Sequence, residues 1–318
     1  MVYDVHRMIQ DSDHMITIVA IYEYRKHLHF VFHYVEGNLE HFLQGNWSCD
    51  TLKPFQRPPW AESKLWGEIT GVCETVASFH NALNNSTRIK CIHFDLKPAN
   101  LLITTNGVIK IADFGQCILI ASRSENEARE VEYQPGDPKY RAPEAKTGLA
   151  TRAHDVWQLA CIILEVAVFM TFQTAGLSKF ADRIPEEGCD DGELTSAFYC
   201  KSSEQIVGLK PCVTDMLQAL ENSGHNGSAF KLFLQDLVGL LRQMFSIDPA
   251  QRPTSSKVAE QLKQQVVEYR NTIKAEESYL LHRLARQRPS HFSVPTDTYF
   301  EVGWRQEHTS RVSSFKTL

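Results

Sequence analysis

The sequence predicts an α+β fold, mainly helical, with a small β region ahead of a larger helical body. Three observations carry this. Residues 16–24 and 28–35 are rich in β-branched and aromatic side chains, as strands are. From Asn38 onward, apolar residues recur at helical spacing over long segments. Between those segments, the short apolar runs 101–104 and 108–111 are joined by Thr105-Asn106-Gly107, and Asn-Gly is the strongest short hairpin signal.

Each element follows in order. Val5, Met8 and Ile9 sketch a short helix before the first strand. The charged break at 23–26 predicts a turn between the two strands. Two strands alone are marginally stable, so this hairpin is expected to lean on the helical body. Residues 39–43 predict a short helix. After a Pro-rich loop at 53–59, a long helix from about 61 to 82 presents Leu65, Ile69, Val72, Val76 and Phe79 on one face. Residues 121–136 are polar and predicted to be mobile. Helical patterns resume at 155–170, 206–221, 228–245 and 254–276, with a Gly- and acid-rich loop near 184–193. The last forty or so residues sustain no period and read as a partly disordered tail.

The composition excludes several function classes. With 318 residues, 43% hydrophobic, 22% charged and a net charge of −5, the chain reads as an ordinary soluble protein. No basic field points to nucleic acid. Cysteines 49, 73, 91, 117, 161, 189, 200 and 212 form no CxxC pair and have no histidine at zinc-ligand spacing, so they read as reduced packing residues. The N-terminus lacks the apolar core of a signal peptide. The longest apolar stretch, 156–170, is broken by Gln158 and Glu165 and reads as a buried helix, not a membrane span. These observations predict no nucleic-acid and no membrane partner, and a cytoplasmic or nuclear location.

The chemistry sits in Ile92-His93-Phe94-Asp95-Leu96-Lys97-Pro98-Ala99-Asn100, followed by the hairpin and then Asp113-Phe114-Gly115. Metal-assisted phosphoryl transfer needs a carboxylate near the attacking hydroxyl, oxygen ligands for Mg²⁺, and a cation beside the transferred group. Asp95, Asn100, Asp113 and Lys97 are residues of those types. The spacing resembles the catalytic and magnesium loops of protein kinases, HRDLKxxN followed by DFG. Further matches come in order. Ala142-Pro143-Glu144 resembles the APE motif, Asp155-Val156-Trp157-Gln158-Leu159-Ala160-Cys161 the DVWSLGC helix start, and Asp248-Pro249-Ala250-Gln251-Arg252-Pro253 the DPxxRPT turn. One such triplet alone is a common turn; five motifs in sequence are not.

The resemblance implies a kinase-like fold with a mainly helical large lobe and an incomplete small β lobe. It divides the chain into a small-lobe remnant (1–36), a large lobe (37–266) and a tail (267–318). It implies that Asp95 accepts the substrate proton, that Lys97 neutralises the transferring phosphoryl, and that Asn100 and Asp113 hold Mg²⁺ against ATP. Phe32 is expected as gatekeeper, with His33, Tyr34 and Val35 contacting adenine. Arg252 is expected to pair with Glu144. The form Asp95-Leu96-Lys97-Pro98-Ala99-Asn100 points to serine or threonine hydroxyls on a protein substrate. His93 reads as a packing residue, and His27, His29 and His33 as one solvated strand face with no carboxylate or cysteine to complete a metal site.

The chain departs from the family pattern before the hinge. There is no G-x-G-x-x-G and no V-A-I-K strand there, the lysine ahead of the hinge is Lys26 in the turn, and Asp4 falls where the pairing glutamate belongs. This predicts a shortened form that transfers phosphate poorly or not at all; the alternative is a non-catalytic pseudokinase that docks partners. Phe94 replaces the arginine that reads a phosphorylated loop, so control by loop phosphorylation is not expected. Asp137 replaces a threonine that bridges the catalytic aspartate and lysine, and Ala160 replaces a glycine.

Overall fold

The computed structural model describes residues 12–35, 37–45, 60–84, 87–122, 130–186, 195–202, 205–224 and 228–286. The predicted helix around Val5–Ile9, Asp4, the loop at 53–59 and the chain beyond 286 lie outside these residues. The chain divides into two compact units, Met1–Ala275 and Glu276–Leu318; of the second, the described residues are the end of the last helix.

The first hairpin joins β1 (Ile18–Tyr24) to β2 (His27–Phe32), antiparallel, with Tyr24 opposite His27. Arg25 and Lys26 both take positive φ, 49° and 63°, the left-handed pair that a tight hairpin turn requires. The hairpin does not lean on the helical body as expected. Val19, Ile21, Tyr22, Tyr24, Leu28, Phe30, Val31 and Phe32 are 37–65% exposed, so its apolar side is as open as its histidine side. Contact with the body is made just before it: Met15 and Ile16 are buried, and Ile16 N–H donates to Ile111 O at 3.0 Å.

A three-stranded sheet follows, with β3 (Gly37–Asn38) and β7 (Ile109–Ile111) flanking β6 (Leu101–Ile103). Gly107 turns the predicted hairpin at φ 76°, its N–H donating to Thr104 O at 2.8 Å. Asn38 caps α1 (Leu39–Leu43), its side-chain oxygen accepting from His41 N. In α2 (Trp60–His80) the five predicted apolar positions are all buried. A second three-stranded sheet sets β5 (Thr87–Ile92) between β4 (Ala82–Asn84) and β8 (Ile118–Ser122). Residues 131–132 are not loop but β9 (Val131–Glu132), paired with β10 (Leu149–Ala150).

The core is built on α3 (Ala153–Glu186), in which residues 156–168 are buried and Gln173 breaks the helix at φ 59°. Among the described residues it is long and apolar enough to cross a membrane, yet its apolar surface is the centre of the large lobe. Trp157 meets Tyr199 and Phe245 edge-on. The helix predicted from 206 starts instead as α4 (Pro211–Asn222), because Gln205–Leu209 is β12, paired with β11 (Tyr199–Ser202). Ile206 and Val207 favour a strand, and Pro211 fits the first helical turn but not a helix interior. α5 (Ala229–Met244) is capped by Ser228. α6 (Ser255–Arg286) continues through residues expected in the tail: Tyr269 is buried and stacks on Phe233 at 4.8 Å. Cys73, Cys91, Cys117, Cys161 and Cys212 are buried, as packing residues would be.

Candidate active site

The loop bearing Asp95 leaves the end of β5, and the loop bearing Asp113 leads into β8, which pairs with β5 through Ile92 and Ile118. The two loops are therefore neighbours by sheet register. Backbone bonds close the gap further, since Ala112 N–H donates to Asn100 O at 2.9 Å.

Beneath the loop lies a buried polar scaffold. Asp155, in the first turn of α3, accepts from Phe94 N at 3.0 Å, from His93 N at 2.8 Å and from His80 Nε2 at 2.9 Å. Gln158, one turn on, accepts from Leu96 N and donates to Phe94 O. This scaffold holds Phe94 at φ 67°, a conformation strained for a bulky residue. Burial alone would raise the Asp155 carboxyl, but the hydrogen bond and charge of His80, with those of His93, carry it below its ordinary value. From sequence, Asp155 and Gln158 read only as letters of the helix-start motif, and His80 had no role. Gln158 and His80 did carry a signal, as polar side chains on otherwise apolar helix faces.

The carboxylate of Asp95 collects donors from three sides: Lys97 Nζ at 2.9 Å, Asn100 Nδ2 at 2.9 Å and the N–H of Asp137 at 3.1 Å. Asn100 Nδ2 also donates to Asp95 O at 2.7 Å, which aims its Oδ1 away from Asp95. Asp113 takes φ 60° and is exposed, with Oδ1 accepting from Gly115 N. Two hard oxygen donors on adjoining loops fit a small divalent cation. Gly136 cannot carry a side chain, since a Cβ would stand 2.6 Å from Phe94 O. Asp137 lies 3.9 Å from Lys97 through its carboxylate and caps its own turn by accepting from Lys139 N.

The other predicted residues lie before and after this cluster along the chain. His93 is buried, with Nδ1 accepting from Asp95 N and Nε2 on Ala112 O; burial holds its pKa below the ordinary value. Phe32 and Tyr34 are exposed, and Val35 packs on the core, at the end of β2 just before β3 pairs with β6. Arg252 grips Glu144 bidentately at 2.8 and 2.7 Å, with its guanidinium over Trp157. Phe94 is buried among Tyr133 and His154, ring centroids 6.0 and 5.3 Å away. These rings attach the segment from β9 to β10 to the loop bearing Asp95.

The family model for the protein kinase domain matches residues 3–267. Cyclin-dependent kinase D-1 of Oryza sativa subsp. indica is 26% identical over 254 residues, 79% of this chain and 53% of that protein. The probable serine/threonine-protein kinase KIN28 homolog of Encephalitozoon cuniculi is 31% identical over 158 residues, 49% of this chain and 44% of that protein. The membrane-associated tyrosine- and threonine-specific cdc2-inhibitory kinase wee-1.3 of Caenorhabditis briggsae is 26% identical over 201 residues, 63% of this chain and 23% of that protein. The chain thus spans about half, or less, of the length of the curated relatives it matches. With a matching model over most of its residues and the motifs folded around one cluster, the chain belongs to the protein kinase domain family.

Proposed function

We propose that this chain carries the phosphoryl-transfer site of a protein serine/threonine kinase that moves the γ-phosphate of ATP to a protein hydroxyl. The observation that supports it is the contact of Asp95 with both Lys97 and Asn100, on a loop bonded to the one that presents Asp113. In this reading Asp95 orients the substrate hydroxyl and accepts its proton, and Lys97 offsets charge on the transferring group. Asn100 and Asp113 hold Mg²⁺, which neutralises the phosphates when bound, and Phe32, His33, Tyr34 and Val35 receive the adenine. The KIN28 homolog is named a serine/threonine kinase and wee-1.3 a tyrosine- and threonine-specific one; the Lys97-Pro98-Ala99-Asn100 form of the loop favours the former.

The test is labelled-phosphate incorporation from ATP with Mg²⁺, followed by phosphoamino-acid analysis. Asp95→Asn is expected to lower incorporation by about 10²–10⁴-fold, the usual contribution of a positioned base. Incorporation that is absent, or equal in the variant, would refute the reading; phosphotyrosine alone would refute the hydroxyl class. A second reading, a binding module without transfer, draws on the exposed apolar faces of β1 and β2.

A further inference from the structure

A cavity of about 250 Å³ opens beside the catalytic loop, walled by Glu40 and Leu43 of α1, by Pro98, by Lys139, and by Glu165 and Leu177 of α3. Two of its walls adjoin the reacting groups along the chain. Pro98 follows Lys97, and Lys139 lies just beyond Asp137, whose N–H holds Asp95. A protein segment that offers a hydroxyl to Asp95 therefore passes neighbouring side chains across this cavity.

The charge of the cavity is settled from within. Glu165 is buried to 4% exposure, and both of its oxygens are engaged: Oε1 by Lys139 Nζ at 2.5 Å, and Oε2 by the Tyr140 hydroxyl at 2.9 Å. A carboxylate this deep requires a partner, and breaking such a pair is costly. Lys139 also lies over the Tyr140 ring, 5.2 Å from its centroid, so its ammonium is fixed in the wall. An incoming lysine or arginine finds the buried carboxylate taken and a like charge beside it. Glu40, the other carboxylate in the lining, is half-buried and reached by solvent, where ionic attraction is weak.

We propose that Lys139 sets acceptor specificity: by neutralising Glu165 it makes the cavity a subsite for uncharged side chains that rejects lysine and arginine, and its removal turns the cavity into a guanidinium site. This rests on the reading of Asp95 as the group that receives the acceptor hydroxyl.

The test uses fluorescein-labelled serine peptides in which one arginine, or its uncharged isostere citrulline, is moved position by position around the serine. Binding is read by fluorescence anisotropy on the wild-type chain, on Lys139→Met and on Lys139→Met with Glu165→Gln, with thermal melts by circular dichroism to establish folding. Lys139→Gln replaces the methionine variant if that fails to fold. The wild type is expected to bind no arginine peptide more tightly than its citrulline twin. Lys139→Met is expected to favour arginine at least tenfold at one position, and the double variant to lose that preference. A threefold or greater preference for arginine in the wild type would overturn the proposal. So would no gain in the single variant, a gain that survives Glu165→Gln, or no peptide binding by any folded variant. Phosphate incorporation is measured separately on the same proteins. Its failure, with the arginine–citrulline pattern intact, would sink the enzyme reading while leaving Lys139 as the gate of a peptide-binding cavity.

Discussion

The loop bearing Asp95 and the β1–β2 hairpin belong to one kinase domain and are held by opposite means. The loop hangs on buried, fully used hydrogen bonds from Asp155 and Gln158, and its own carboxylate is surrounded by donors. The hairpin has a strained turn, cross-strand pairs such as Tyr22 stacked on His29 at 4.9 Å, and apolar side chains open on both faces. The difference teaches where rigidity is placed. In the proposed function, the groups that meet a transferring phosphate are held in place before any ligand arrives, and those that cover the nucleotide's base are left to local strand pairing.

Removing the anchor of the loop is the severest way to break this comparison. Asp155→Ala strips partners from three buried donors, each costing about 1–3 kcal/mol when orphaned, and is expected to lower unfolding stability by about 4 kcal/mol or more in a urea titration. A loss under about 1 kcal/mol, the size of an ordinary net hydrogen bond, would mean that the scaffold is not what fixes the loop.

A second test sharpens it through pH. His154 is buried with neither ring nitrogen hydrogen-bonded, and burial lowers its pKa from 6.5 to about 4, against the opposing pull of Glu144 and Asp155. As pH falls, the unfolded chain takes up this proton first. Stability is then complete above about 6.5 and drains away down to about 4, by about 3 kcal/mol at most. His154→Phe keeps a ring against Phe94 and Tyr133 and is expected to flatten that slope, leaving the part due to His93. An unchanged slope in melts between pH 7 and pH 4 would show that His154 is not the group responsible.

The smallest expected effect belongs to the hairpin. Leu28, 65% exposed, is predicted to tolerate threonine within about 0.5 kcal/mol. A loss above about 1 kcal/mol, typical of a packed site, would show that the strand is covered in solution and would end the contrast.

Much of this was legible in the residues. The ordered motifs named residues that fold into one candidate cluster, Asn106-Gly107 marked the hairpin beside it, and the apolar spacing in α2 named a buried face without error. What escaped was tertiary. Ile206 and Val207 sit in a window that suits either a strand or the start of the following helix, and only pairing with β11 decides between them. The last helix, predicted over 254–276, runs on to Arg286. Asp155 read as a motif letter, since nothing local tells a buried anchor from a solvated first-turn acid.

The rings of Phe94, Tyr133 and His154 carry one more consequence. The segment between β9 and β10 is held by charge at Asp137, Lys139 and Glu144 but by aromatic area at these rings, so raising the ionic strength should loosen the half-exposed Asp137 end and leave the ring contact seated. Sulfate should tighten it, where a charge-held clasp would slacken.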